Sequence, residues 1–118
     1  MKYALLIYSP RAAGTEDSES ARELDPRLAA VLAGPSVVDW ARLQHVESAT
    51  TVRLKEGKRL LTDGPFLDSK EFLGGLVIVD AADLDGALAI AEELQEVRPQ
   101  VAIEVRPVFE TAEQYGDR

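Results

Sequence analysis

The stretch RLLTDGPFLDSKEFLGGLVIVD (residues 59–80) holds two apolar runs on either side of a tight turn, and this arrangement decides the fold. The second run, at 74–80, is apolar at successive positions, which is typical of a strand covered on both faces. Between the runs, Gly64 and Pro65 end the first strand because proline lacks an amide hydrogen. The stretch therefore predicts a strand, a sharp turn with Asp63 at its start, and a buried strand.

The neighbouring segments extend this pattern in both directions. ATTVRLKEGKRLLTD (49–63) alternates apolar and polar residues around Glu56-Gly57, which predicts a hairpin. LDSKEF (67–72) predicts about one helical turn after the tight turn at residues 63–66, which we call the knot. ADLDGALAIAEELQ (82–95) has leucine and alanine at helical spacing with Asp83 placed to cap it, and VAIEVRPVFE (101–110) alternates as a strand.

The first third of the chain is less regular. KYALLIY (2–8) predicts a strand that Pro10 terminates, and DPRLAAVLAG (25–34) predicts a helix with Asp25 as its N-cap. The polar segment before it predicts a loop or a frayed helix. PSVVDWARLQHVES (35–48) predicts an irregular connection under which Val37, Val38, Trp40 and Leu43 pack.

The order of these elements indicates an α+β fold. Strand, helix, hairpin, strand, helix and strand predict a ferredoxin-like two-layer sandwich, with two helices on one face of a mainly antiparallel sheet. The domain spans residues 1–110, and residues 111–118 form a flexible tail. The strands at 2–8 and 75–79 are apolar on both sides, so we expect a second copy to cover the free sheet face and predict a homodimer.

Composition narrows the classes of function. Hydrophobic residues make up 46% and charged residues 29%, as in globular domains, and no run suits a membrane helix. The net charge of −8, from 21 acidic and 13 basic residues, argues against nucleic acid as a partner. No signal peptide is predicted at the start, so we expect a cytoplasmic protein with neither membrane nor nucleic-acid partners.

The carboxylate in the knot has two interpretations. An aspartate before glycine often caps a turn by accepting a hydrogen bond from the amide two residues on. Alternatively, Asp63 faces a pocket together with Phe66, Lys70 and Glu71, since polar groups converging on an apolar cleft are the usual anatomy of a ligand site. The acidic residues here match no metal-binding pattern, so neither a metal nor a cofactor is predicted.

The combination ATTVR (49–53), TDGPF (62–66), KE (70–71), GG (74–75) and IEVRPV (103–108) resembles the DGPF branch of the YCII-related proteins. The opening MKYALLIY also fits this family. The resemblance implies a ferredoxin-like fold that pairs into a dimeric α+β barrel-like assembly in a bacterial protein. It also implies a possible link to extracytoplasmic-function sigma factors, beside which such proteins are often encoded.

The resemblance further implies a histidine–aspartate pair in a cleft, as proposed for the wider superfamily. That histidine belongs near the first helix, where this chain has none, so His45 is a replacement from another position and not the matching residue. Imidazole gives and takes protons near neutral pH, which makes His45 and Asp63 the candidate catalytic pair. Arg53 and Arg106 are candidates for pairing with a ligand carboxylate or with Asp63.

Three hypotheses follow. The first is a homodimer that binds a small molecule near the turn. The second is an acid/base enzyme, lyase- or hydrolase-like, that acts on a small ring compound through Asp63 with His45 or Lys70. The third is an interaction module for a sigma factor or another regulator. The predicted ligand-binding residues are Asp63, Gly64, Pro65, Phe66, Lys70, Glu71, Tyr8 and Arg53.

Overall fold

A computed structural model describes residues 1–10 and 24–116. Within these residues the chain forms six strands, two α-helices and two short 3₁₀ turns. The elements in chain order are β1 (Lys2–Pro10), α1 (Pro26–Leu32), β2 (Val37–Arg42), a 3₁₀ turn (Val46–Ser48), β3 (Thr50–Lys55), β4 (Lys58–Asp63), β5 (Glu71–Asp80), α2 (Leu84–Val97), β6 (Ala102–Pro107) and a second 3₁₀ turn (Ala112–Tyr115).

The main sheet has four strands in the order β2-β5-β1-β6, and every neighbouring pair is antiparallel. Strand β5 lies between β1 and β2, so the connection through α1 joins two strands that are not neighbours in the sheet. Helix α2 then connects β5 to β6 on the far side of β1. This is the ferredoxin-like arrangement, and it confirms the predicted α+β sandwich.

The core lies between this sheet and the two helices. Leu5 of β1, Val79 of β5 and Leu94 of α2 are fully buried at its centre. Side chains of a strand alternate between the two faces, so the residues of β1 that face the helices are Tyr3, Leu5 and Ile7. Leu28 and Leu32 supply the buried face of α1, as the helical spacing predicts.

Both helices begin where the sequence predicts. The Asp25 carboxylate accepts a hydrogen bond from the Arg27 amide at 2.8 Å, and the Arg27 guanidinium lies 3.2 Å from its other oxygen. These contacts with Arg27 lower the pKa of Asp25. At α2, the Asp83 carboxylate accepts a hydrogen bond from the Gly86 amide at 3.0 Å. Each side chain thus satisfies an amide that the helix leaves without a partner.

The prediction of an irregular connection at 35–48 is wrong. Residues Val37–Arg42 form edge strand β2, which pairs with β5 from Val79 to Gly75. The register shifts between Val37 and Asp39, and this bulge breaks the alternation from which a strand is recognised. The expected burial of this segment is also wrong in large part, because Val38, Trp40 and Leu43 are exposed.

The prediction of a helical turn at 67–72 is wrong as well. The chain from Pro65 to Lys70 is irregular, and β5 already begins at Glu71. The Ser69 hydroxyl accepts a hydrogen bond from the Glu71 amide at 3.1 Å. A serine that bonds the backbone two residues on favours a turn over a helix.

The hairpin is present, but it lies outside the main sheet. Strands β3 and β4 pair only with each other, from Thr50–Asp63 at the base to Lys55–Lys58 at the tip. Glu56 and Gly57 have φ angles of 53° and 77°. Positive φ at both central residues is what a type I′ two-residue hairpin turn requires. The sequence thus predicts the turn correctly and the sheet membership wrongly.

The second face of the main sheet, which we call the open face, points away from the helices. It carries Ala4, Leu6 and Tyr8 from β1 and Leu76 and Ile78 from β5, all partly exposed. This confirms the expected apolar character of the face. Dimerisation itself stays a prediction.

Residues near the two ends of the described chain are in contact. The Lys2 ammonium donates a hydrogen bond to the Glu113 carboxylate at 2.7 Å, which raises the pKa of Lys2. The flexibility of residues 111–118 stays a prediction, and the predicted loop or frayed helix at 14–25 lies outside the described residues except for Leu24 and Asp25.

A glycine in β5 lets β2 approach closely. A Cβ at Gly75 would lie 2.9 Å from the Ala41 carbonyl oxygen, whereas one at Gly74 would lie 3.3 Å from the Ser9 hydroxyl, which rotates away easily. We therefore expect Gly75→Ala to lower the free energy of unfolding by about 1–3 kcal/mol, as overpacking does. Urea denaturation measures this, with Gly74→Ala as the control that costs clearly less. Equal losses in both variants would contradict the close approach.

The cap of α2 gives a second prediction. Asp83→Ala should reduce the free energy of unfolding by about 1 kcal/mol because the Gly86 amide loses its acceptor. Asp83→Ser supplies another cap oxygen and should restore most of the loss in the same thermal or urea measurement. If serine behaves like alanine, the carboxylate acts through something other than the cap.

Candidate functional site

The knot at 63–66 closes the base of the hairpin. The Gly64 amide donates a hydrogen bond to the Ala49 carbonyl at 2.8 Å, and the Thr51 hydroxyl donates one to the Gly64 carbonyl at the same distance. Gly64 adopts a φ of 103°, which other residues rarely take. The glycine is therefore required by the backbone, and it fixes the direction in which Asp63 and Phe66 leave the turn.

The carboxylate of Asp63 does not cap this turn. A capping aspartate bonds the amide two residues on, and here that residue is Pro65, which has no amide hydrogen. Asp63 is exposed at the end of β4, opposite Thr50. Across residues 1–10 and 24–116, no hydrogen bond or ion pair to this carboxylate is found. The group is thus free to accept hydrogen bonds from a molecule outside the chain.

Arg53 and Phe66 form the other contact of the knot. The Arg53 guanidinium lies 5.5 Å from the centroid of the Phe66 ring, within the range of a cation–π interaction. Arg53 and Asp63 point to opposite faces of the hairpin, since Arg53 pairs with Leu60 and Asp63 with Thr50. The alternative in which Arg53 pairs with Asp63 is therefore wrong. Arg106 lies on β6, 3.6 Å from Glu104.

Tyr8 and Glu71 lie at the end of the main sheet from which the hairpin emerges. In the β1–β5 register, Tyr8 pairs with Leu73 and Pro10 with Glu71. Alternation along β5 then places Glu71 on the same open face as Tyr8. Lys70 is exposed directly before the strand. The structure thus gathers these predicted residues at one end of the sheet, with the knot at the start of the same loop.

His45 also lies at this end, next to the edge of β5. Leu43 continues the pairing of β2 by donating its amide to the Gly74 carbonyl at 2.9 Å, and His45 follows two residues later. The imidazole caps the first 3₁₀ turn, because Nδ1 accepts the Glu47 amide at 3.2 Å. A neutral ring in this position carries its proton on Nε2. In this tautomer the Nε2–H group can donate a hydrogen bond, while the lone pair of Nδ1 is engaged by the Glu47 amide.

A small cavity lies elsewhere, between the two helices and the sheet. It has a volume of about 70 Å³, well below that of a typical ligand pocket. Its polar lining consists of Ser9, Arg42 and Arg98, with Trp40 at one side. None of the eight residues predicted to bind a ligand lines it. Arg42 was not identified from the sequence because strand β2 was not predicted. Recognising β2 would have required knowing that a bulge interrupts its alternation.

Neither a metal site nor a membrane-spanning helix is found among the described residues. Residues 1–10 and 24–116 contain no cluster of three or more His, Asp or Glu side chains arranged to hold a metal ion. In the same part of the chain, no helix has both the length and the apolar character to cross a membrane.

The geometry of the knot predicts the effect of replacing its glycine. Gly64→Ala forces a side chain into a φ of 103°, at a cost of about 1–3 kcal/mol. The Gly64 amide bonds Ala49, and ladder hydrogen bonds of an antiparallel pair recur at every second residue, so the amides of Arg53 and Leu60 are hydrogen-bonded within the hairpin. These two amides should exchange hydrogen faster in the variant. The amide of Val77 in the core serves as the internal control and should change little. Unchanged exchange at all three positions would contradict this role of Gly64.

Comparison with known proteins gives a consistent result. The model of the YCII-related domain matches residues 1–112. An uncharacterized protein of Rhizobium meliloti (strain 1021) is 32% identical over 114 residues, which cover 92% of this chain and 92% of the relative. The chain belongs to the family of YCII-related domain proteins.

Proposed function

We propose that this protein is a homodimer of the DGPF branch of its family, which binds a small molecule in a cleft beside the knot. The cleft is rimmed by residues 62–71. The observation that carries this proposal is the Asp63 carboxylate, which is exposed and which Pro65 prevents from capping its own turn. A carboxylate held in place by a rigid backbone and left without a partner is suited to recognise a ligand.

The groups around Asp63 indicate the chemistry of the ligand. Phe66 is 66% exposed and offers an aromatic surface beside the Arg53 guanidinium. The carboxylate accepts hydrogen bonds only, so it favours a ligand with a hydroxyl or amine donor. A small ring compound with such a donor meets both requirements, and Lys70 supplies a positive charge for an acidic substituent.

A second copy of the chain would complete the cleft. The small cavity between the helices and the sheet has no lining residue from the knot, and Asp63 and Phe66 are exposed to solvent. Tyr8 lies on the open face at the end of the sheet where β5 begins, and the apolar residues of this face favour burial against another sheet. If two copies covered each other's open faces, part of the second copy would lie next to the knot and enclose the cleft.

The acid/base enzyme is the second candidate, and the free carboxylate of Asp63 favours it as well. The cap formed by His45 argues against a histidine base, because Nδ1 already accepts the Glu47 amide. Such an enzyme would use Asp63 as the base, with Lys70 as its partner. The link to a sigma factor or another regulator rests on the family resemblance alone.

The test compares Asp63→Asn with the unchanged protein. The amide keeps the shape of the side chain and loses its charge, so binding should weaken by about tenfold or more, as when a hydrogen bond to a charged group is lost. Saturation-transfer NMR with phenol, catechol, aniline and imidazole as probes measures the affinity. The melting temperature should stay nearly unchanged, since the carboxylate has no partner in the fold.

Asp85→Asn is the matched control, because it removes a carboxylate from α2 without touching the knot. Equal affinity in Asp63→Asn and Asp85→Asn would contradict the proposed site. A clear drop in melting temperature for Asp63→Asn would instead restore a structural role for this carboxylate.

A further inference from the structure

The cavity between the two helices and the main sheet has mostly apolar walls. Buried Leu28 and Leu32 of α1, Val77 of β5 and Leu94 of α2 line it. A single water molecule needs roughly 10–15 Å³ of such space, so a volume of about 70 Å³ has room for about five non-hydrogen atoms. The cavity therefore suits a small molecule that has an apolar part.

Two arginines line the same cavity from different elements. Residues directly opposite each other in an antiparallel pair share a face of the sheet. Arg42 of β2 lies opposite Gly75, two residues along from the pair formed by Trp40 and the core residue Val77. Arg42 is thus on the side of the sheet that faces the helices. Arg98 directly follows α2 and is half-buried.

The backbone of Arg98 is fixed at the end of α2. Its amide donates a hydrogen bond to the Leu94 carbonyl at 3.0 Å, and its carbonyl accepts from the Val101 amide and the Gln95 side chain, both at 3.2 Å. In the part of the chain that the structure describes, no ion pair or hydrogen bond engages its guanidinium. A partly buried positive charge loses hydration, and an anion offsets that loss. The half-buried guanidinium of Arg98 thus suits an anionic ligand.

The local charges have the sign that an anion requires. Among the described residues, the lining of the cavity includes two arginines and no acidic side chain. The C-terminal end of α2 contributes the equivalent of about half a negative charge, which is less than the two positive charges of the guanidinium groups. The net charge of −8 is spread over the whole chain, and salt screens its effect at longer distances.

We infer that this cavity is a second binding site, which takes a short-chain monocarboxylate of the size of propionate. The planar guanidinium of Arg98 bonds the carboxylate oxygens, Arg42 adds a second positive charge, and the hydrocarbon tail packs on the apolar walls. Inorganic phosphate fits less well, because apolar walls leave most of its oxygens without hydrogen bonds. The site uses neither Asp63 nor a second copy of the chain, so it goes beyond the proposed function.

Propionate and propionamide test the site, because they have the same shape and differ in charge. Saturation-transfer NMR at constant ionic strength measures both affinities, and the fluorescence of Trp40, the sole tryptophan, reports binding at the cavity. We expect propionate to bind at least about tenfold more tightly than propionamide, as for a hydrogen bond to a charged group. Acetate should bind about fourfold more weakly than propionate, since it buries one methylene less.

Variants of Arg98 assign the binding to the cavity. Arg98→Met keeps an unbranched side chain and removes the charge, so the affinity for propionate should fall at least about tenfold. Arg98→Lys keeps the charge and should retain part of the affinity. Arg59→Met is the matched control, because Arg59 is exposed on the hairpin and does not line the cavity. It should change the affinity less than about twofold, as expected of an exposed charge screened by salt.

Each other outcome would overturn the inference. Equal affinity for propionate and propionamide would exclude recognition of the charge, and tighter binding of inorganic phosphate than of propionate would exclude the carboxylate. Unchanged affinity in Arg98→Met, or binding that leaves the fluorescence of Trp40 unaltered, would place the ligand outside the cavity. Absence of propionate binding at millimolar concentration would exclude the site. None of these results bears on Asp63, which does not line the cavity.

Discussion

The pairing of β5 with both β1 and β2 is the interaction on which the rest of the structure depends. It places two strands that are apolar on both sides at the centre of the sheet, with helices over one face. The close approach of Gly75 to Ala41 holds the edge strand against this centre. The same pairing leaves the open face of Ala4, Leu6, Tyr8, Leu76 and Ile78 without cover from the helices.

The hairpin and the knot follow from where β5 begins. Between β2 and β5 the chain leaves the sheet, forms the hairpin, and returns through the loop that precedes Glu71. Gly64 closes this hairpin through its amide, which bonds the Ala49 carbonyl, and through its carbonyl, which accepts the Thr51 hydroxyl. Pro65 directly after it lacks the amide that Asp63 would otherwise bond. The backbone requirement and the free carboxylate thus arise from adjacent residues. A tight turn and a binding group are compatible because they use different atoms.

Much of the fold could be predicted from the sequence because its signals are local. The caps Asp25 and Asp83, the turn at Glu56-Gly57 and the apolar runs of β1 and β5 each specify their own element. Strand β2 could not be recognised, since its bulge at Val38 breaks the period of two. Alternation identified β3 and β4 as strands but holds no information on which sheet they join, and here they form their own.

The candidate site was predictable to a smaller degree. Tyr8, Lys70 and Glu71 lie at one end of the main sheet, because β1 pairs there with the start of β5, whereas Asp63 and Phe66 lie at the base of the separate hairpin. The separation of Arg53 from Asp63 follows from alternation once the pairing register is known, and the register depends on the turn at Glu56-Gly57. The engagement of His45 with Glu47 depends on the backbone conformation of the first 3₁₀ turn, which no residue pattern specifies.

The central claim is that a second copy of the chain covers the open face. Sedimentation equilibrium of the unmodified protein at micromolar concentration tests it most directly. A single chain has a mass of 12.9 kDa, and the account predicts twice that mass. A mass equal to that of one chain across the micromolar range would contradict it.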